Sequence, residues 1–399
     1  MTSALSPAAV DALRAATPGI AHTTHFNHGG ASLPSARTLE AVQTQLTREA
    51  AMGPMEAGAA GVEQSERARG LAARLLNAQP AEIALTTSST HGWGLAFDAL
   101  GHWRAGDRIL VARQEWGSNL ATLRIAAQRD GVSIETIPCD ATGAADPEAL
   151  AALLDERVRL IVLTWMPANG GLINPAAAIG HTARRHGIPY FVDAAQTVGQ
   201  LPIDVAELGA DVLVGTGRKA LRGPRGTGLL YIRQDFLPRL TPSFVDVWSA
   251  PFDADGNPVL RRDAARFETG DTAYALRCGL ANALDEALTL GIDVIRASID
   301  AVATTLRERL AAVPGVSVLD LGAERSGLVS FDVAGIEPAE VRRRLAEKQI
   351  SIASNGLDYT PLDMEARGLR EVARASVSYL TTEGEIDTLL AGLDAIRRA

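Results

Sequence analysis

A chain of 399 residues, 47% hydrophobic and 21% charged, has apolar material for a large core and predicts two domains rather than one. Its net charge of −9 gives no reason to expect a nucleic-acid partner, and no uninterrupted apolar run reaches the roughly 20 residues of a membrane span. Two cysteines, Cys139 and Cys278, form no disulfide framework and fit a reducing cytoplasm.

From the start of the chain, residues 1–11 lack the basic region and continuous apolar stretch of a signal peptide, and Ser6-Pro7 predicts a helix start. His22, His25 and His28 recur at three-residue spacing, which suits either a metal site or a loop bordering a small-molecule site. Gly29-Gly30 follows and no carboxylate or thiolate joins them, which favours the loop. Residues 37–50 read as an amphipathic helix and 64–78 as a second. The apolar run Ile83–Leu85 leads into Thr86-Thr87-Ser88-Ser89-Thr90-His91-Gly92, ahead of a helix predicted over 95–100. Such a hydroxyl-rich turn presents backbone N–H groups to a phosphate, although the same pattern also serves as a plain N-cap. Buried strands are predicted at 108–112, 159–164, 189–193 and 211–214, and residues 276–311 are helical by period. Short strands at 316–319, 327–333 and 350–352 alternating with helices then predict a small α+β domain.

Only two of the 38 basic residues are lysines, Lys219 and Lys348. An arginine stays protonated in a protein, whereas a lysine amine can lose its proton and form an imine with an aldehyde. Lys348 lies in a charged stretch that reads as a solvated helix face. Lys219 instead follows the strand Asp211–Val214 in the turn Gly215-Thr216-Gly217-Arg218-Lys219, at the carboxyl edge where α/β sheets bind ligands. Arg218, Arg222 and Arg225 around it would hold down its pKa. An imine-forming lysine points to pyridoxal 5'-phosphate, whose ring nitrogen needs a carboxylate. Asp193, one crossover upstream at the end of Tyr190-Phe191-Val192, is placed to supply it.

The motifs Tyr190-Phe191-Val192-Asp193-Ala194-Ala195-Gln196-Thr197-Val198-Gly199-Gln200, Thr216-Gly217-Arg218-Lys219 and Gly223-Pro224-Arg225-Gly226-Thr227-Gly228 resemble aminotransferase class V over nearly the whole chain. That family has the fold-type I architecture of pyridoxal-phosphate enzymes: a mainly parallel sheet flanked by helices, with a smaller α+β C-terminal domain. By resemblance, Lys219 is the Schiff-base lysine, Asp193 the pyridinium partner and Gln196 the group on the cofactor's phenolic oxygen. Ser89 and Thr90 match the phosphate-binding pair, completed by Thr216 and Arg218. Trp116 stands where a ring stacks on the pyridine, the alternative being a plain core tryptophan. In the turn 165–175 an asparagine approaches the cofactor, and Asn169 is the candidate, although an ungapped register puts Ala168 there. The turn Arg266–Thr272 matches one that reaches the phosphate of a neighbouring subunit, with Asp271 in place of the usual threonine, so that either Thr272 takes the role or the contact is absent. Arg374, in Ala373-Arg374-Ala375-Ser376, matches the substrate carboxylate clamp, and a bidentate guanidinium suits it. His28 and Tyr359 are further substrate-side candidates.

The resemblance implies a cytoplasmic homodimer acting on a small amino acid, with no nucleic acid, membrane or metal. It also implies a cofactor domain at 20–275 and a small domain at 276–399 joined by 1–19. All its members begin by activating the amino acid at Cα. A tryptophan at position 116 resembles aminotransferases, so transamination is expected first, with racemisation or carbon–sulfur β-elimination as alternatives. The segment 353–360, where desulfurases carry their persulfide cysteine, has none, which ranks desulfuration low, and a non-catalytic cofactor binder ranks lowest.

Overall fold

The computed structural model describes residues 3–398. A short strand β1 (Thr24–His25) precedes two helices, Ala36–Met52 and Gly58–Leu76. Seven strands follow: β2 (Ile83–Thr86), β3 (Arg108–Ala112), β4 (Ser133–Ile137), β5 (Val158–Thr164), β6 (Tyr190–Asp193), β7 (Val212–Thr216) and β8 (Gly228–Ile232). They form one sheet in the order β2-β8-β7-β6-β5-β3-β4. Because β8 is antiparallel to both of its neighbours and every other pairing outside it is parallel, the remaining six strands run one way. Strands β2, β3, β6, β7 and β8 are buried at every residue, as expected of a sheet covered by helices on both faces. This is the mainly parallel α/β architecture read from the sequence. One-way strands end at one edge, so Thr86, Ala112, Thr164, Asp193 and Thr216 all arrive there.

The C-terminal third carries β9 (Val316–Val318), β10 (Leu328–Val333), β11 (Ile350–Ser351), β12 (Ala353–Gly356) and β13 (Glu371–Ser376). Four of them make an antiparallel sheet, β12-β13-β10-β9, while β11 pairs in parallel with β1. A further bridge joins Asn27 to Ser376, so the chain near residue 27 is laid against the end of β13. Arg374 is centred in this sheet, opposite Ser330 on one side and Ala353 on the other.

Local chemistry explains where helix boundaries differ from expectation. The stretch 276–311 is two helices, Tyr274–Leu290 and Ile292–Ala311, broken at Gly291, whose φ of 85° glycine adopts without steric cost. The helix expected from residue 95 begins at Ser89, because the Ser88 hydroxyl accepts from His91 N at 3.0 Å and caps it. The hydroxyl-rich turn is therefore that helix's first turn. Among the described residues no helix is long and apolar enough to cross a membrane.

One buried ionic cluster fixes the start of that turn. Glu268 Oε1 accepts from Arg69 at 2.6 Å and from Leu85 N at 2.8 Å, and Arg277 lies 2.9 Å from Oε2. A buried carboxylate between two guanidiniums is costly to remove because both cations then lose their counter-charge. Glu268→Ala is expected to lower stability by about 3–5 kcal/mol in urea unfolding.

Candidate active site

At the carboxyl edge of the large sheet a cavity of about 670 Å³ opens beside Lys219, with a smaller chamber of about 40 Å³ beneath it. Trp116, Ala168, Gln196, Arg218 and Lys219 line both. Asp193, Ser89 and Thr90 line the inner chamber, while Arg374 and Tyr359 line the outer one. The Lys219 amine lies 6.0 Å from the centroid of the Trp116 ring, and Tyr359 meets that ring edge-on at 5.4 Å. A plain core tryptophan would not border both chambers.

Burial and charge set the amine's chemistry. Desolvation is the largest effect on Lys219 and brings its pKa down to about 7; Asp193 works against this, and the Arg218 and Arg374 cations reinforce it. Asp193 is buried and its pKa is raised, chiefly by desolvation, with the Ala195 N–H and Lys219 opposing. Its Oδ1 accepts from Ala195 N at 2.9 Å and its Oδ2 from Asn119 Nδ2 at 3.0 Å, which holds the carboxylate in one orientation.

Asn119 was not singled out from the sequence, nor was Glu115. The Asn119 amide also donates to Glu115 Oε1 at 2.8 Å, and Glu115 Oε2 accepts from Thr164 N at 2.9 Å. Glu115 is fully buried, and desolvation lifts its pKa to about 7. A carboxylate–amide–carboxylate chain thus runs behind the inner chamber. Its only sequence signal is the four-residue spacing of Glu115 and Asn119 at the end of β3.

The N-terminal loop closes the outer cavity. His25, Asn27, Gly29, Gly30 and Ala31 line it. Gln196 Nε2 donates to Gly29 O at 2.9 Å, and Gly29 N donates to Ser376 Oγ at 2.8 Å. A Cβ at Gly29 would stand 3.3 Å from the Arg374 guanidinium carbon, so the bare backbone lets the loop lie on that side chain. Arg374 is 2% exposed and donates to Ala168 O at 2.8 Å and Asn27 Oδ1 at 3.1 Å, while its buried Nε has no partner among the described residues.

Other candidates lie elsewhere. Asn169 is buried and donates at 3.4 Å to Gly356 O, and Ala168 borders the cavity in its place, as the ungapped register has it. Thr216 is buried with its hydroxyl given to Thr227 O at 3.3 Å, inside the β7–β8 turn. His28 is buried against Ser32, 3.0 Å away, and borders a separate small cleft; burial holds its pKa well below the usual histidine value. Thr272 and Asp271 line a second cavity of about 170 Å³ beside Thr87 and His91. Arg222 is not beside the amine: it donates to Leu33 O, Thr17 and Tyr379, tying the N-terminal segment to the C-terminal one.

The residues present suit pyridoxal phosphate. A buried amine of lowered pKa stands with a held carboxylate, a hydroxyl-bearing helix start, an aromatic face and an arginine with an unused donor. Fold and site together define a fold-type I pyridoxal-phosphate enzyme. The chain belongs to the aminotransferase class-V family, whose profile matches residues 25–389. Among curated proteins it is 30% identical to a cysteine desulfurase of Salmonella agona over 349 residues, 85% of this chain and 84% of that one. Among solved structures it is similar to C-DES, a cystine C–S lyase captured with its product cysteine persulfide, at 30% identity and a TM-score of 0.86 over 94% of this chain and 98% of that one. It is also similar to the cysteine desulfurase CsdA of Escherichia coli, at 25% identity and a TM-score of 0.89 over 98% of each chain.

These relatives correct the expectation of transamination, and with it the low rank given to desulfuration: they are named for breaking carbon–sulfur bonds. Neither a tryptophan at position 116 nor the absence of a cysteine from residues 353–360 excludes carbon–sulfur cleavage.

Two outcomes test the site. Only the neutral amine is a nucleophile, so the apoprotein should capture pyridoxal phosphate at a rate that rises with pH through about 7 and then levels, read by absorbance. An amine with the ordinary pKa of about 10.4 would keep accelerating far above that. Glu115→Gln leaves either Thr164 N or Asn119 Nδ2 facing a second donor, so thermal or urea unfolding should show a loss of about 1–3 kcal/mol.

Proposed function

We propose that the protein is a pyridoxal-phosphate enzyme that breaks the carbon–sulfur bond of a cysteine-class amino acid. The observation that carries the chemistry is the Lys219 amine, with its pKa near 7, in one cavity with Arg374 and above Asp193. The sulfur specificity is supported by relatives named as cysteine desulfurases and as a cystine lyase. Bound pyridoxal phosphate supplies the sink for the electron pair released at the substrate's Cα.

The chain's own residues do the rest. Arg374, with its unused Nε donor, holds the α-carboxylate and orients Cα toward Lys219. Lys219 Nζ takes the Cα proton, which a neutral amine near pH 7 can do. Asp193, fixed by Asn119 and Ala195 N, holds the proton at the ring nitrogen. Ser89, Thr90 and Arg218 would hold the phosphate, and Trp116 with Tyr359 would wall the ring from water. Among the described residues neither Cys139 nor Cys278 lines the cavity, so in this reading the sulfur leaves with the substrate fragment or with a thiol from outside.

By elimination, cysteine should give pyruvate, ammonia and sulfide, and cystine should give pyruvate, ammonia and cysteine persulfide; by transfer, cysteine with an added thiol RSH as acceptor should give alanine and the persulfide RSSH. Amine transfer that depends on a keto acid, with no sulfur released, would overturn the proposal. Lys219→Ala should abolish product. Asp193→Asn removes the carboxylate that would keep the ring nitrogen protonated and should lower kcat/KM by roughly 100-fold, about 2.7 kcal/mol in the barrier.

In the same reading the chain works as a homodimer in which Thr272 serves the neighbouring copy. Exposed Leu39, Leu46, Met52, Met55 and Val62, with Phe244, Val247 and Phe252, support an interface there. Sedimentation should give twice the chain mass of 42.0 kDa.

A further inference from the structure

The cavity over Lys219 carries more positive charge than one amino-acid head group needs. Arg218, Arg225, Arg342 and Arg374 all line it, and the sole carboxylate among its lining residues is Asp358. Arg374 is buried beneath the N-terminal loop, and Arg218 also borders the inner chamber with Ser89 and Thr90. These two positions account for an α-carboxylate and a phosphate. Arg225 and Arg342 border only the outer cavity and are both exposed, at its mouth.

The two come from distant parts of the chain. Arg225 is in the turn between β7 and β8, and Arg342 is on the helix Pro338–Ala346 of the C-terminal third. Their neighbours show what an arginine does here when it has a structural task. On that helix Arg343 is bound to Glu340 at 2.7 Å and Arg344 to the same carboxylate at 2.6 Å. In the β7–β8 turn itself Arg222 makes three hydrogen bonds to the protein. Among the described residues, Arg225 and Arg342 are in no ion pair, and both face the cavity. The Arg225 charge also presses on Arg218, whose pKa is lowered by burial first and by Arg225 second. Four guanidiniums gathered on one void against the single carboxylate of Asp358 are relieved when an anion enters it.

We propose that Arg225 and Arg342 form a second anion subsite at the cavity mouth, and that the preferred substrate is an amino acid with a distal carboxylate at the far end of a sulfur-containing side chain. This rests on the reading that Arg374 takes the α-carboxylate at the same site. The α-carboxylate then lies at Arg374, the side chain passes Trp116 and Tyr359, and the distal carboxylate reaches the two exposed guanidiniums. A disulfide joining two amino-acid halves, each with its own carboxylate, has this form, whereas free cysteine has nothing to offer the outer pair.

The test compares cystine with the mixed disulfide of cysteine and methanethiol, which keeps the sulfur chemistry and lacks the distal carboxylate. Arg225→Gln and Arg342→Gln in the holoenzyme should each raise KM for cystine by roughly 3- to 10-fold, and leave KM for the mixed disulfide within about 2-fold. Arg343→Gln, on the same helix but turned to Glu340, should change neither. A second readout needs no turnover: calorimetric binding of dithiodipropionate, a disulfide with two carboxylates and no amine, should weaken in both mouth variants and with rising salt. Equal effects on the two substrates, or unchanged dithiodipropionate binding in the variants, would overturn the subsite. If no sulfur compound is turned over at all, the proposed reaction falls, while the calorimetric arm still decides the subsite.

Discussion

The site depends on a buried amine and a buried carboxylate that the fold brings to one place. Burial alone drives both Lys219 and Asp193 toward neutrality, and each group's field partly restores the charge of the other. The balance leaves the amine near pH 7 with a pKa of about 7, close to where a proton can be taken and returned. Only a rigid frame can hold such a compromise. Here that frame is the parallel sheet, in which Asp193 pairs in register with Thr164 on β5 and Val214 on β7, two residues fixed by their own ladders.

Around that pair the protein is assembled from pieces far apart in sequence. The N-terminal loop is stitched on one side to Gln196 at the large sheet's edge and on the other to Ser376 on β13. Arg374 is locked by Ala168 from the turn after β5 and Asn27 from the loop. Glycine is required where these parts meet: a Cβ at Gly117 would lie 1.7 Å from Asp358 O, so the start of the helix after Trp116 carries the Tyr359 segment directly against it. The stacking ring and the outer wall are therefore placed by one contact.

Much of this was legible in the sequence because buried parallel strands read as continuous apolar runs and because lysine is so scarce that Lys219 declared itself. Strand β4 was missed, since Ser133-Ile134-Glu135-Thr136-Ile137 at the sheet edge has neither a continuous apolar run nor strict alternation. Of the Glu115–Asn119–Asp193 chain the sequence shows only the four-residue spacing of its first two members, because Asn119 meets Asp193 across strand ends at a separation of 74 residues that no periodicity marks. Position 169 shows the limit of motif reading, since a one-residue shift in an irregular turn exchanges a lining side chain for a buried one. Reaction type was not legible in the sequence, because an imine-forming lysine with a carboxylate and an arginine serves transamination, racemisation and β-elimination alike.

The stitching of Gly29 to Ser376 spans 347 residues, and β1 must find β11 across a similar distance. During synthesis the loop that closes the site emerges near the start and stays without its partner until almost the whole chain has left the ribosome. The seven-strand sheet, complete by residue 232, has everything it needs much earlier. Its ligand edge is thus open to solvent, and to cofactor, for the entire time that the last 160 or so residues take to appear, at about 5–20 residues per second. Closure of the cavity needs β13, so a chain stalled before residue 376 can own a finished sheet and still have no enclosed site.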